Sequence, residues 1–132
     1  MALGAGSVTP WQMVEGFSVF ANIGRRTEPY LISKVTDASG KVLMQSTAEA
    51  EKVAGVEALD PRNAYIMHQM LHGVATSGTA ARATASLKRT DIAGKTGTTD
   101  ENRDRYFAGF SPYYSAAVWT GYKSNERFSE SL

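Results

Sequence analysis

Residues 91–99 read Asp-Ile-Ala-Gly-Lys-Thr-Gly-Thr-Thr, and this stretch does most to decide the fold and the chemistry of the chain. Its first residues are typical of the start of a β-strand. Gly97 leaves room for another backbone to approach closely. The ammonium of Lys95 and the hydroxyls of Thr96 and Thr98 can bind a carboxylate. The stretch therefore predicts a strand that forms one wall of a groove for an anionic substrate.

This stretch has two other interpretations. The triplet Gly94-Lys95-Thr96 matches the end of the phosphate-binding loop G-x-x-x-x-G-K-[ST]. That loop requires a glycine five residues before Gly94, where the chain has Arg89, so the phosphate interpretation fails on spacing. The second interpretation, a turn that merely contains lysine and threonine, remains an alternative, because the bare Lys-Thr-Gly triplet carries little information.

Size and composition limit the classes of protein to consider. The chain has 132 residues, enough for one domain or part of one, and a net charge of +1. Its basic residues are spread along the chain, so nothing favours nucleic acid or a membrane surface as a partner. It has no cysteine, which excludes disulfides and cysteine-bound metals. No apolar run approaches the roughly 18 residues of a membrane-spanning helix. No cofactor fingerprint is present, and we expect no cofactor.

A pair of histidines raises the question of a metal site. His68 and His72 lie four residues apart on a predicted helix, the spacing of a two-histidine zinc site. The glutamate expected beside the first histidine is replaced by Gln69, and no third ligand is evident. We therefore expect a structural pair and no metal.

The order of predicted elements indicates an α+β protein with an antiparallel sheet. Thr9 and Gln12 form a capping box ahead of the first helix, and Gly24 suits its end. Residues 47–58 read as a surface loop, and Thr79 is a candidate cap for a short turn through Ala85. The predicted elements are helices near 10–23 and 61–76, a hairpin at 30–46, and strands at 91–98, 105–111 and 116–122.

Charged residues cluster between the first two predicted strands of the sheet. They are Glu101, Arg103, Asp104 and Arg105. Such a cluster most often forms a solvated loop, whose local ion pairs contribute roughly 0–1 kcal/mol each. A role in shaping the edge of the groove is the alternative.

Taken together, these pieces resemble the transpeptidase domain of class A (bifunctional) penicillin-binding proteins, which has the fold of the serine β-lactamases. The resemblance runs from about residue 6 to residue 122, and it rests on many short segments in the right order. One departure is the pair Arg105-Tyr106, which stands where Ala-Trp is more usual. The matching segments are Gly-Ser-Val-Thr-Pro-Trp-Gln-Met at 6–13, Val-Phe-Ala-Asn-Ile-Gly at 19–24, Pro-Tyr-Leu-Ile at 29–32, Val-Thr-Asp at 35–37, Gly-Lys-Val-Leu at 40–43, Asp-Pro-Arg-Asn-Ala-Tyr at 60–65, Gly-Thr-Ala at 78–80, the stretch 91–99, Asn-Arg-Asp at 102–104 and Tyr-Phe-Ala-Gly-Phe-Ser-Pro at 106–112.

The resemblance implies a function in bacterial cell-wall synthesis. A parent enzyme of this family cross-links peptidoglycan through an acyl-enzyme, acting on D-Ala-D-Ala stem peptides, and it is acylated by β-lactams. It implies that Lys95 and Thr98 are catalytic, and that Lys95, Thr96, Gly97 and Thr98 bind substrate. Thr98 would supply a backbone N–H to the oxyanion hole. The implied location is the periplasmic side of the inner membrane, with an anchor outside this chain.

Only one of the three motifs that such enzymes need is present. They are S-x-x-K, S-x-N and K-T-G. No serine lies three positions before a lysine, and no asparagine follows a serine at the S-x-N spacing. We expect residues 1–132 to be a single partial domain, the C-terminal portion of the transpeptidase domain without its nucleophile or closing helix. It would be inactive alone, with the remainder of the domain as its partner, and would expose apolar surface. A non-catalytic peptide- or protein-binding module and a portion of a serine β-lactamase are the alternatives.

Overall fold

The centre of the molecule is a three-stranded antiparallel sheet, seen in a computed structural model that describes residues 6–46 and 55–129. Its strands are β5 (Ala93–Thr98), β6 (Asp104–Phe110) and β7 (Ser115–Gly121), in the spatial order β5-β6-β7. The α+β class and the three predicted strands are confirmed, each to within two residues. The sheet places the Lys-Thr-Gly segment on its outermost strand.

Two helices pack against the strands of this sheet. Helix α1 (Pro10–Ala21) packs on β6 and β7, and helix α2 (Pro61–Thr76) packs on β5. The capping box at the start of α1 is formed as predicted: the Thr9 hydroxyl accepts from the Gln12 N–H at 3.2 Å, and the Gln12 side chain accepts from the Thr9 N–H at 2.9 Å. Neither helix is long and apolar enough to cross a membrane, and the same holds for every helix in the described residues.

The connection between α2 and the sheet contains a short helix, α3 (Ala81–Ala85). The prediction that Thr79 caps this segment is wrong, because the N-cap residue is Ala80 and it makes no side-chain capping bond. The Thr79 hydroxyl is instead bound to the hydroxyl of Thr96 on the central sheet. A tertiary contact has replaced the local bond that the sequence suggested.

The predicted hairpin is present, with shorter strands than its range of 30–46. It consists of β2 (Lys34–Thr36) and β3 (Val42–Gln45). Gly40 has φ +86°, the left-handed conformation that the turn requires. The Asp37 carboxylate accepts the N–H groups of Ser39 and Lys41 at 2.8 and 2.9 Å, which fixes the turn.

A second small ladder was not predicted. Strand β1 (Arg25–Arg26) pairs antiparallel with β4 (Val56–Glu57). The interpretation of residues 47–58 as a loop is therefore wrong at 56–57, while residues 47–54 lie outside the described part of the chain. Two-residue strands carry no hydrophobic alternation, so the sequence held no signal for this pair.

The hydrophobic core is small. Among the described residues, its central cluster is formed by Leu71, Ala93 and Phe110, with side chains of α1 packed against it. Many large apolar side chains remain on the surface; Leu31 is 85% exposed and Val56 is 73% exposed. This agrees with the expected apolar surface, and association of the isolated chain stays a prediction.

Two glycines face each other in the sheet under an aromatic ring. Gly94 on β5 is directly opposite Gly109 on β6, and both are buried. A Cβ added at Gly94 would lie 2.7 Å from the Phe107 ring and 2.8 Å from the Gly109 Cα. The ring of Phe107 therefore fills the space that two side chains would otherwise occupy, and it ties β5 to β6 just before Lys95.

Candidate functional site

The predicted substrate-binding residues lie on an edge strand. β5 pairs with β6 on one side, and no strand of the described residues pairs with its other side. An edge strand presents N–H and C=O groups that another extended peptide can bind. Lys95, Gly97 and Thr98 are exposed and Thr96 is half-buried, so all four predicted residues are brought together along this edge.

The ammonium of Lys95 curls along the free edge. Its Nζ donates to the carbonyl oxygen of Thr96 at 2.8 Å and lies 3.3 Å from the Thr96 Oγ1. Side chains at successive strand positions leave opposite faces. The two polar groups can meet because no strand of the described residues pairs with the outer side of β5, and the lysine side chain bends around that edge. An exposed ammonium with three donors thus lies beside a hydroxyl at the open edge.

The Thr96 hydroxyl is held from a second direction. Thr79 Oγ1, in the connection after α2, lies 2.8 Å from Thr96 Oγ1. Lys95, Thr96 and Thr79 therefore form a continuous chain of polar contacts. Sequence reasoning missed Thr79, because residues 79 and 96 are neighbours only in the folded chain.

Replacing Thr79 by valine tests this contact. Valine keeps the branched shape and removes the hydroxyl, so we expect the free energy of unfolding to fall by about 1 kcal/mol, the typical net contribution of one hydrogen bond. Urea denaturation of the 132-residue chain measures the change. Thr36→Val, at another exposed threonine, is the control, and an equal loss in both variants would contradict a specific role for the Thr79–Thr96 bond.

An open groove begins at the C-terminal end of β5. Its volume is roughly 800 Å³, and it runs between the segment before α1 and the turn after β5. Gly97 and Thr98 line the groove, whereas Lys95 and Thr96 lie just outside it along the edge. An added Cβ at Gly97 would lie 3.3 Å from the Tyr106 Cβ, so a side chain there would crowd the wall. The groove could accept an extended ligand that continues along the edge of β5.

The charged cluster beside the groove divides into two parts. The Arg103 guanidinium binds Glu101 at 2.6 Å, and Arg127 binds the same carboxylate at 2.5 Å. The hydrogen bond from Arg103 and, to a smaller extent, the one from Arg127 hold the pKa of the Glu101 carboxyl below its usual range. The prediction of a solvated loop with local ion pairs holds for Glu101 and Arg103. It is wrong for Asp104 and Arg105, which lie half-buried on β6.

The two histidines serve the packing of α2. His72 Nε2 lies 2.7 Å from the carbonyl oxygen of Thr90, and the His68 ring meets the Phe110 ring edge-on at 5.1 Å. No group of three or more metal-ligating side chains occurs in the described ranges 6–46 and 55–129. The contacts agree with the structural pair predicted from the sequence.

Comparisons with known proteins identify the family. The model of the penicillin-binding protein transpeptidase domain matches residues 1–127. Penicillin-binding protein 1A of Neisseria flavescens is 46% identical over 122 residues, which is 92% of this chain and 15% of that protein. Penicillin-binding protein 1A of Aquifex aeolicus is 43% identical over 122 residues, 92% of this chain and 16% of that protein. The chain thus spans about one sixth of the length of these relatives.

Solved structures agree with the sequence comparison. A crystal structure of penicillin-binding protein 1A from Haemophilus influenzae superposes with a TM-score of 0.86 at 27% identity, covering 99% of this chain and 24% of that one. PonA1 of Mycobacterium tuberculosis in complex with penicillin V has the same fold, with a TM-score of 0.73 over 95% of this chain and 32% of that one. With the exposed Lys-Thr-Gly edge and the groove beside it, these matches lead to one conclusion: the chain belongs to the penicillin-binding protein transpeptidase domain family.

Proposed function

We propose that this chain forms the substrate-binding wall of a D,D-transpeptidase that cross-links peptidoglycan stem peptides through an acyl-enzyme. The observation that carries the proposal is the exposed Lys-Thr-Gly-Thr segment on the unpaired edge of β5, next to an open groove. A stem peptide could lie along this edge as an added strand, with hydrogen bonds from the β5 backbone. Its terminal carboxylate would then meet Lys95 and the hydroxyls of Thr96 and Thr98.

The proposed reaction transfers an acyl group twice. A serine outside these 132 residues attacks the carbonyl carbon of the penultimate D-alanine, and terminal D-alanine leaves with a proton. An amine of a neighbouring stem peptide then displaces the serine oxygen and forms the cross-link. The backbone N–H of Thr98 stabilises the negative charge on the attacked carbonyl oxygen, a contribution that typically amounts to about 3 kcal/mol for one donor. A β-lactam acylates the same serine.

The role of Lys95 is electrostatic. Its ammonium is exposed, and within the described part of the chain its hydrogen bonds go to groups of the adjacent Thr96, so it can turn towards an incoming carboxylate without disturbing the core. A positive charge at the strand edge attracts that carboxylate and favours the ionised form of nearby groups. Lys95 and Thr98 are thus the residues of this chain proposed to take part in catalysis, and Thr96 and Gly97 are proposed to bind substrate with them.

The setting of the parent protein follows from the same proposal. Its partners would be stem peptides ending in D-Ala-D-Ala, β-lactams and the remainder of the transpeptidase domain, which supplies the nucleophile. Peptidoglycan is assembled outside the inner membrane, so the domain would act on the periplasmic side of that membrane.

A labelling experiment tests the assignment of the nucleophile. The 132-residue chain has no S-x-x-K motif, so incubation with a fluorescent penicillin should leave no labelled band after denaturing electrophoresis. Stoichiometric labelling of the chain would show that one of its own side chains is acylated, contrary to the proposal.

An exchange experiment tests the function itself. In Neisseria flavescens penicillin-binding protein 1A, the matching segment is replaced by the 122 aligned residues of this chain, to give a chimera with both halves of the proposed site. We expect the chimera to be acylated by the fluorescent penicillin. A chimera that melts as cooperatively as the unmodified protein and remains unlabelled would instead favour a non-catalytic binding module.

A further inference from the structure

The carboxylate of Asp104 joins all three strands of the central sheet. Its Oδ2 accepts a hydrogen bond from Thr99 Oγ1 at 3.1 Å, at the end of β5. Its Oδ1 accepts one from the indole Nε1 of Trp119 at 2.9 Å, on β7. Asp104 itself is the first residue of β6. Both carboxylate oxygens are therefore used within the protein, although Asp104 also lines the groove.

Thr99 and Asp104 bind each other through three hydrogen bonds. The Thr99 N–H donates to the Asp104 carbonyl at 3.1 Å, and the Asp104 N–H donates to Thr99 Oγ1 at 2.9 Å. The threonine hydroxyl thus accepts one bond and donates another to the carboxylate. These bonds close the turn between β5 and β6 at its base, directly after Thr98.

The bond from the Trp119 indole to Asp104 depends on a glycine. Gly121 is the residue opposite Asp104 in the β6–β7 register. A Cβ at Gly121 would overlap the ring of Trp119. Because that position has no side chain, the indole can lie across β7 and reach the carboxylate of Asp104.

The end of β5 has little other support than these hydrogen bonds to Asp104. Its outer side has no strand partner among the described residues, and the turn that follows contains Glu101 at φ 65° and Asn102 at φ 55°. Left-handed conformations of residues other than glycine are unfavourable, so this turn stores strain that would relax if its base opened. The Asp104 bonds oppose that opening at the point where Thr98 faces the groove.

We propose that Asp104 is a positioning residue of the transpeptidase site, which holds the backbone of Thr98 in the orientation that the oxyanion requires. This inference rests on the proposed function of β5. Asp104 does not touch the reacting atoms; it acts through Thr99, the residue next to Thr98. Its loss should therefore slow acylation more than it weakens the initial binding of penicillin, because orientation matters most in the transition state.

Kinetics in the chimera test the catalytic part. Thr99→Val removes only the hydroxyl, and Asp104→Ala removes the carboxylate. Each should lower the limiting acylation rate by roughly 10-fold or more, with the dissociation constant of penicillin changed by less than about 3-fold. The double variant should lose less than the product of the two single losses, since both substitutions break the bond between the Thr99 hydroxyl and the Asp104 carboxylate. Asp91→Ala is the matched control, because it removes a carboxylate paired with Arg89 at the other end of β5.

A measurement on the 132-residue chain tests the structural part independently of acylation. The NMR order parameter of the Thr98 amide should fall from about 0.85 to below about 0.6 in Thr99→Val and Asp104→Ala, and stay unchanged in Asp91→Ala. An unchanged order parameter would overturn the positioning role, whether or not the chimera reacts. Normal acylation rates in an active chimera would overturn it too, whereas a chimera inert before any substitution counts against the proposed function of β5.

Discussion

Lys95→Ala is expected to lower the acylation rate of the chimera by about 100-fold or more, the range seen when one preorganised electrostatic contact is lost from an acyl-transfer site. The ammonium lies at the open edge of β5 and makes no contact that the fold requires beyond Thr96. The melting temperature should therefore change little while the reaction with fluorescent penicillin nearly stops. Stopped-flow labelling gives the rate.

The control for this substitution is Lys41→Ala in the β2–β3 hairpin, which removes an equal charge far along the chain. Lys95→Arg tests whether positive charge alone is sufficient, since a planar guanidinium keeps the charge but not the compact shape of an ammonium. Equal acylation rates for Lys95→Ala and the unsubstituted chimera would show that Lys95 takes no part in acylation.

Gly94→Ala is expected to destabilise the chain by about 3 kcal/mol, the upper part of the usual range for overpacking. The added methyl would lie 2.7 Å from both the Phe107 ring and the Ala108 carbonyl oxygen. Since Gly109 occupies the opposite position, neither strand can move aside without losing the β5–β6 ladder. Thermal denaturation should show a melting temperature roughly 10 °C lower.

Gly16→Ala provides a control of opposite sign. Gly16 lies in helix α1, and a Cβ there would meet nothing within 4 Å. Alanine is favoured over glycine inside a helix by up to about 1 kcal/mol, so this variant should be slightly more stable. Similar losses of stability from both substitutions would mean that a methyl group at Gly94 does not clash with Phe107 or Ala108.

Local patterns predicted the elements that depend on local chemistry. The Thr9–Gln12 capping box forms as predicted, and Gly24 and Gly40 adopt the left-handed conformation that their positions require. These features involve residues three or fewer positions apart, or a single φ angle. The strands of the sheet were found because their apolar runs are separated by clear turn residues.

Contacts that depend on register were not predictable. Asp104 looked like one more charge in a solvated cluster, and nothing in the sequence joins it to Trp119, fifteen positions away. Thr79 was assigned a local capping role, because its true partner Thr96 is brought near only by the packing of α2 on β5. The site residues and one wall of the groove were predicted from the Lys-Thr-Gly motif, whereas the other wall comes from the segment before α1, which is distant in sequence.

The burial pattern along β5 separates positions that the fold needs from positions open to a ligand. Ala93 and Gly94 are enclosed, so mutations at those positions threaten folding, whereas the accessible positions are the proposed contacts for substrate and drug alike. Under the proposed function, a substitution there that weakens the reaction with penicillin would also weaken the reaction with the stem peptide. Penicillin resistance is therefore expected to arise in the loops beside β5 before it arises in the strand itself.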